Sequence, residues 1–244
     1  MPDGASAAHF PSRLTASLST RFSLEAAEII PSSACPDALR ELPSQSFDLM
    51  FVCPPFDPEE RNAPFKLGEN DIRSHNYIAR WSECISEGAR LLKPTGSLLI
   101  YGLPRWLPFL GVEAGKSLAF KYWIAVEVWD ERVPRNPLLP AQAGLLLYVK
   151  DEKRFTMNRV REPHRMCRAC GDYLADWGGK KHMRNPAGAA VSDIWLLRRD
   201  APPEARLVRN LPDAVLYRAL ELCSTPGHSV LLAPCDLVEE PSYG

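Results

Sequence analysis

Phe47-Asp48-Leu49-Met50-Phe51-Val52-Cys53-Pro54-Pro55-Phe56 is the stretch on which the fold turns. The run from Leu49 to Val52 is continuously apolar, as expected of a central strand in a parallel sheet buried on both faces. Two prolines cannot continue a hydrogen-bonded ladder, so the strand must stop at Cys53 and the chain must turn outward. In open α/β sheets the carboxyl ends of the strands are where ligands bind. Cys53, Pro54, Pro55 and Phe56 are therefore the first candidates for a functional site.

Working outward, the pattern alternates between strands and helices. Residues 1–21 are rich in Ser, Ala and Pro without a period, which predicts a loose N-terminal arm. Phe22 to Ile30 reads as a short strand before Pro31, and Asp37 to Leu42 as a brief helix before Pro43. The polar stretch 57–71 reads as a loop. Ile78, Trp81, Ile85, Ala89 and Leu92 recur at helical spacing, so a helix is expected over 72–92. Lys93-Pro94-Thr95-Gly96 ends it, and Ser97 to Gly102 is a second buried strand. A short helix from Pro104 and strands over 122–128 and 145–149 follow. This alternation predicts an α/β fold with a doubly wound sheet.

The texture changes after Lys150. Residues 150–209 hold 14 Lys/Arg against 8 Asp/Glu, whereas residues 1–149 hold 14 against 17. A basic insert at 151–205 on a slightly acidic body suits a surface that meets phosphates, although a solvated face has the same composition. Helical periodicity returns after Pro212 with Val215, Leu216, Ala219, Leu220 and Leu222, and Val230-Leu231-Leu232 forms a last strand. The organisation expected is an arm at 1–21 and one domain over 22–244 carrying the insert.

The 244 residues suffice for such a domain. No apolar run reaches the roughly 20 residues of a membrane span, and the N-terminus lacks the basic-then-apolar pattern of a signal peptide. The 7 cysteines form an odd set, five of them scattered, which argues against a disulfide framework and for the reducing cytoplasm. Cys167 and Cys170 stand apart as a spaced pair. Cys-x-x-Cys-Gly is a common zinc half-site, for which His164 and His182 are the candidate completing ligands. A reduced pair capping a turn would give the same spacing.

Several segments, taken in order, resemble the DNA amino-methyltransferases that modify adenine N6 or cytosine N4, in the permuted class whose catalytic motif precedes the cofactor motif. Asp37-Ala38-Leu39-Arg40-Glu41-Leu42-Pro43 with Ser46 to Leu49 is similar to the approach to the catalytic motif. Cys53-Pro54-Pro55-Phe56 stands where that family carries Asp-Pro-Pro-Tyr/Phe or Ser-Pro-Pro-Tyr. Leu91 to Ile100, Trp129 with Asn136-Pro137, Cys167 to Gly171 with Asp176 to Lys181 and Ser192 to Trp195, and Asn210 to Gly227 match later segments. The resemblance spans about residues 29–235 and implies a Rossmann-like, circularly permuted S-adenosylmethionine-dependent methyltransferase sheet, with double-stranded DNA as partner.

The chemistry it implies is demanding. An exocyclic amine is a poor nucleophile because its lone pair is delocalised into the ring. The family's Asp or Ser and a carbonyl of the Pro-Pro turn accept hydrogen bonds from that amine and aim it at the sulfonium methyl. The aromatic residue, here Phe56, stacks on a base flipped out of the duplex. Cys53 departs from the pattern, since sulfur is a weak acceptor. The cofactor motif departs too. Leu231-Leu232-Ala233-Pro234-Cys235-Asp236 stands in place of an Asp-Pro-Phe and glycine-rich turn, and no glycine follows before Gly244. Asp37, Ala233 and Pro234 are the candidate cofactor contacts. Besides an active site-specific DNA methyltransferase of restriction-modification type, the sequence leaves open an inactive DNA-binding homologue and one half of a split enzyme whose second subunit completes the cofactor site.

Overall fold

The computed structural model describes residues 13–55, 72–127, 142–167, 170–174, 178–196 and 211–233. Phe56, Trp129, Asn136, Pro137, Trp177 and Pro234 lie outside the described residues, as does the expected loop at 57–71.

The apolar run around which the fold was read is strand β2 (Phe47–Val52). Its side chains alternate between two cores. Leu49, Phe51 and Cys53 join one cluster with α5 (Asp213–Cys223), while Met50 and Val52 join the other with α3 (Ile72–Leu91) and α4 (Leu107–Ala114). A strand covered by helices on both faces has no solvent side, which is why its sequence shows no polar alternation.

Around β2 a seven-stranded sheet assembles from β1 (Ala26–Ile29), β3 (Leu92–Gly102), β4 (Ala119–Glu127), β5 (Gln142–Val149), β8 (Ile194–Trp195) and β9 (Ser229–Leu232). Their order is β1-β9-β2-β3-β5-β4-β8. β1, β9, β2 and β3 are mutually parallel, and β5 runs antiparallel to both β3 and β4. The last described strand thus lies between the first two. At the opposite end of β2 from the Pro-Pro turn, the carboxylate of Asp48 accepts from Lys93 Nζ (2.7 Å) and from the backbone N–H of Ser229 (2.9 Å), tying β2 to both neighbours.

Three sequence expectations are revised. Residues 13–21 of the stretch read as a loose arm, with Phe22 from the expected strand, form helix α1 (Arg13–Phe22). Leu18 of α1 is fully buried, and Phe22 packs against Tyr217 with ring centroids 6.0 Å apart; the burial of a single apolar face holds a helix whose sequence is too short and polar to announce itself. Lys93-Pro94-Thr95-Gly96, read as a terminating turn, already belongs to β3. Its first residues form an irregular extension, with a register shift opposite β2 between Phe47 and Leu49. The third revision concerns the basic segment. Its end joins the main sheet, because Trp195 is buried in the main core and β8 pairs with β4.

Among the described residues of that segment, β6 (Arg161–Glu162) and β7 (Ala189–Ala190) pair into a two-stranded ribbon. Asn158 fastens it to the end of α5, its side-chain amide donating to the carbonyls of Glu221 (2.9 Å) and Ser224 (2.7 Å). Gly188 sits at φ +103°, and a Cβ there would collide with the carbonyl oxygen of Glu162 on the facing strand. Gly188→Ala is expected to cost about 1–3 kcal/mol from the backbone conformation alone. Limited proteolysis should then cut the ribbon faster while the helical circular dichroism of the main domain is retained.

Candidate active site at the strand ends

The parallel strands β1, β9, β2 and β3 end on one edge, and backbone hydrogen bonds draw those ends level. Ala233 N–H donates to Phe51 O (2.9 Å), and Ile30 N–H donates to Leu232 O (2.9 Å). The ladder between β9 and β2 therefore carries past the last strand residue, until the prolines stop it. Cys53 and Pro54 are buried there and Pro55 is half-buried. Ala233 is fully buried beside them. Of the candidates read from the sequence, the fold brings Cys53, Pro54, Pro55 and Ala233 to one edge; Phe56 and Pro234 fall outside the described residues.

Val52 pairs with Ile100, so Cys53 is level with Tyr101 on β3. Tyr101 is fully buried. Burial, and secondarily the charge that a nearby Cys53 thiolate would carry, push its phenol well above the ordinary tyrosine range. The phenol accordingly keeps its proton beneath the Pro-Pro turn. Tyr101 was legible in the sequence only as one apolar strand residue among others; its place beside Cys53 depends on the pairing of β2 with β3.

An aromatic stack flanks the same edge where β3 gives way to α4. Tyr77 of α3 lies 4.7 Å from the Trp106 ring and meets Trp81 edge-on at 6.0 Å. Arg105 lies over Trp106 (5.2 Å) and Arg80 over Trp81 (4.9 Å). Arg80 also donates to the carbonyls of Ser32 (2.8 Å) and Cys35 (3.0 Å), which fixes the segment leading away from β1. Sequence reasoning assigned Trp81 to the core stripe of α3 and missed Tyr77, Arg105 and Trp106. Their signal is a helical register that meets a strand exit far away in the chain.

Asp37 is engaged elsewhere. It opens the short helix α2 (Asp37–Glu41), its side chain is 85% exposed, and its carboxylate pairs with Arg40 at 2.6 Å. Arg40 in turn reaches Glu83 of α3 (2.7 Å). Asp37 makes no hydrogen bond or ion pair with the described strand-end residues.

The zinc expectation finds no support among the described residues. Cys167 and Cys170 do lie on one tight turn, closed by Gly171 N–H donating to Cys167 O (2.9 Å), with Gly171 at φ +72°. The ring nitrogen Nε2 of His164, however, is hydrogen-bonded to the Asn185 carbonyl (2.8 Å), and its ring stands edge-on to Tyr173. His182 belongs to a separate 3-10 turn, Lys181–Met183. Among the described residues no group of three or more His, Cys, Asp or Glu side chains could hold a metal ion. Two sulfurs do not complete the tetrahedral shell that a structural zinc requires.

Comparison with known proteins gives these features a context. The chain is 32% identical over 201 residues to the type II methyltransferase M.BamHI of Bacillus amyloliquefaciens, covering 81% of this chain and 47% of that protein. Its relatives are methyltransferases. The DNA adenine methyltransferase YhdJ of Escherichia coli K12 is 28% identical over 219 residues, covering 87% of this chain and 72% of that one. The type II methyltransferase M.HpaI of Haemophilus parainfluenzae is 23% identical over 162 residues and is covered to 46%. The chain thus spans about half the length of M.BamHI and M.HpaI. No family model matches it. Among solved structures, a Thermus thermophilus protein assigned as a DNA modification methylase superposes with a TM-score of 0.51 at 16% identity, over 86% of this chain and 78% of the other. The α/β sheet read from the sequence is therefore a fold this homologue shares with a methylase structure. No helix among the described residues is long and apolar enough to cross a membrane.

Proposed function

We propose that this chain carries the catalytic sheet of a DNA amino-methyltransferase, which transfers a methyl group from S-adenosylmethionine to adenine N6 or cytosine N4. The observation that carries the reading is the abutment of the Cys53-Pro54-Pro55 turn on the end of β9 through the Ala233–Phe51 hydrogen bond. A base-side wall and a cofactor-side strand end meet there, on the edge where α/β sheets bind ligands. The position of β9, last of the described strands yet between β1 and β2, supports the permuted order of motifs.

The described residues are compatible with the cofactor at this edge. Ala233 offers only a methyl group, and Cys53 and Pro54 are small and recessed, so no bulky side chain from these positions bars a ligand laid across the ends of β9 and β2. When bound, S-adenosylmethionine supplies an electrophilic methyl on sulfur. That methyl would pass to the amine nitrogen, and the surplus amine proton would leave to water. The chain's part is to hold the amine. The Pro54 carbonyl, which has no ladder partner among the described residues once the strand has ended in prolines, is the acceptor we assign to one N–H; Cys53 offers a second, weaker one. Phe56, immediately after, is the ring proposed to stack on the flipped base. Double-stranded DNA is the proposed partner, and the basic segment 151–205 its contact surface.

Isothermal titration with S-adenosylmethionine, followed by transfer of a labelled methyl to mixed-sequence duplex DNA, tests the reading. Label appearing in N6-methyladenine or N4-methylcytosine supports it. Duplex binding with no cofactor binding would instead mark an inactive DNA-binding homologue. Cofactor binding restored only by a co-purifying chain would mark a split enzyme.

A further inference from the structure

The basic ribbon contains an open concavity of about 320 Å³, lined by Arg161, His164, Met166, Tyr173 and Arg184 with Pro163 and the 186–188 turn. We infer that this concavity is a clamp for one backbone phosphate of DNA, setting the position of the duplex without reading its bases. The inference rests on the DNA-methyltransferase reading and assigns the ribbon a sequence-independent task within it.

Three observations carry it. The first is charge without compensation inside the cavity. Two guanidiniums line it, and among the described residues no carboxylate does. Glu162, the nearest acid in sequence, is turned to Arg165 (3.8 Å) and Arg218 (3.7 Å), and Asp172 is paired with Lys181 (3.4 Å). The second is preorganisation. Arg184 lies over the Tyr173 ring at 4.0 Å, a stack that orients its guanidinium plane. Arg161 spends one N–H on the Gly188 carbonyl (2.8 Å), and His164 is held by Asn185 (2.8 Å). Side chains already immobilised lose little entropy when an anion arrives. The third is the kind of donor presented. With its face on Tyr173, the Arg184 guanidinium offers N–H groups at its edge, the fork that suits phosphate oxygens. Among the described residues the lining contains no Asn, Gln, Asp or Glu side chain of the sort that reads adenine or cytosine edges.

A contact of this type makes affinity salt-dependent and leaves sequence preference alone. The test is fluorescence anisotropy of the full chain on labelled duplexes of several unrelated sequences, across a salt series, with S-adenosylmethionine present. Arg184→Gln is expected to weaken binding to every duplex by the same factor. It should also make the slope of log K against log[salt] shallower by about 0.9, the value for one phosphate contact. Arg184→Lys should recover the slope but only part of the affinity, since it keeps the charge and loses the fork. Lys116→Gln, just beyond α4 and paired with Glu113, controls for net charge and should leave the slope unchanged.

An unchanged slope for a folded Arg184→Gln protein that still binds DNA would overturn the inference, as would a loss confined to one sequence, which would mark a base reader. Absence of DNA binding by the unmodified chain would instead count against the methyltransferase reading itself. Inorganic phosphate as competitor separates sources: displacement of duplex only at high ionic strength fits a backbone clamp, whereas saturable low-concentration competition lost in Arg184→Gln would show a free-phosphate site and overturn the DNA assignment.

Discussion

Phe51→Ala is expected to lower the unfolding free energy by about 3–5 kcal/mol, the range for deleting a large aromatic side chain from a sealed core. Phe51 has no exposure at all and lies in the central strand, with β9 on one side and β3 on the other. Its ring packs in the cluster that also holds Leu99, Leu216, Leu220 and Leu232. Strands on both sides and a helix above leave little room to collapse into the cavity, so the upper part of the range applies. Its carbonyl also accepts the Ala233 N–H that seats the end of β9, so the loss should reach the site as well as the core. Urea unfolding followed by tryptophan fluorescence measures it. A loss below about 1 kcal/mol would mean that the sheet repacks around β2 and that the strand is not the keystone described.

The largest effect on chemistry is expected from Cys53→Asp. On the proposed reading, Cys53 stands where an oxygen acceptor would polarise the target amine, and sulfur performs that task poorly. Removing one well-placed polar group from such a site typically costs about 10²–10³ in rate, so supplying one should accelerate methyl transfer by on the order of 10²-fold at unchanged DNA affinity. The opposing term is burial, because Cys53 is only 5% exposed and a carboxylate there is penalised unless hydrogen-bonded. Tyr101, level with Cys53 and holding its proton, is a donor of the right kind. Single-turnover transfer of a labelled methyl from S-adenosylmethionine, with thermal melting to confirm the fold, decides the matter. A folded variant with an unaltered rate would show that residue 53 only fills space at the strand end.

The parts of the chain differ in how openly their structure is written in it. The buried strand with its Pro-Pro stop was legible because both signals are local: four consecutive apolar residues need two covered faces, and proline lacks the ladder N–H. The amphipathic stripes of α3 and α5 were legible for the same reason, since Trp81, Ile85 and Ala89, and Val215, Leu216 and Ala219, repeat at the helical period and are all buried. Helix α1 was not legible. Its hold on the fold comes through Leu18 and through Phe22 against Tyr217, contacts whose partners lie on the far side of the chain. The zinc expectation finds no support among the described residues for a related reason: Cys-x-x-Cys spacing predicts a turn, but the third and fourth donors depend on how the ribbon folds. There His164 is drawn to Asn185 and Tyr173 instead.

The Pro-Pro turn at the end of β2 and the basic character of the later segment were written in residue types and their spacing. That Cys53 comes level with Tyr101 on one face of the sheet, and Ala233 with Val52 on the other, was written nowhere locally. It required β9 to insert between β1 and β2, an arrangement secured by bonds such as that of the Asp48 carboxylate to the Ser229 N–H, 181 residues apart in the chain. Strand order is chosen by which arrangement lets every apolar strand face bury against a helix at once, a condition on the whole chain that no window of sequence contains.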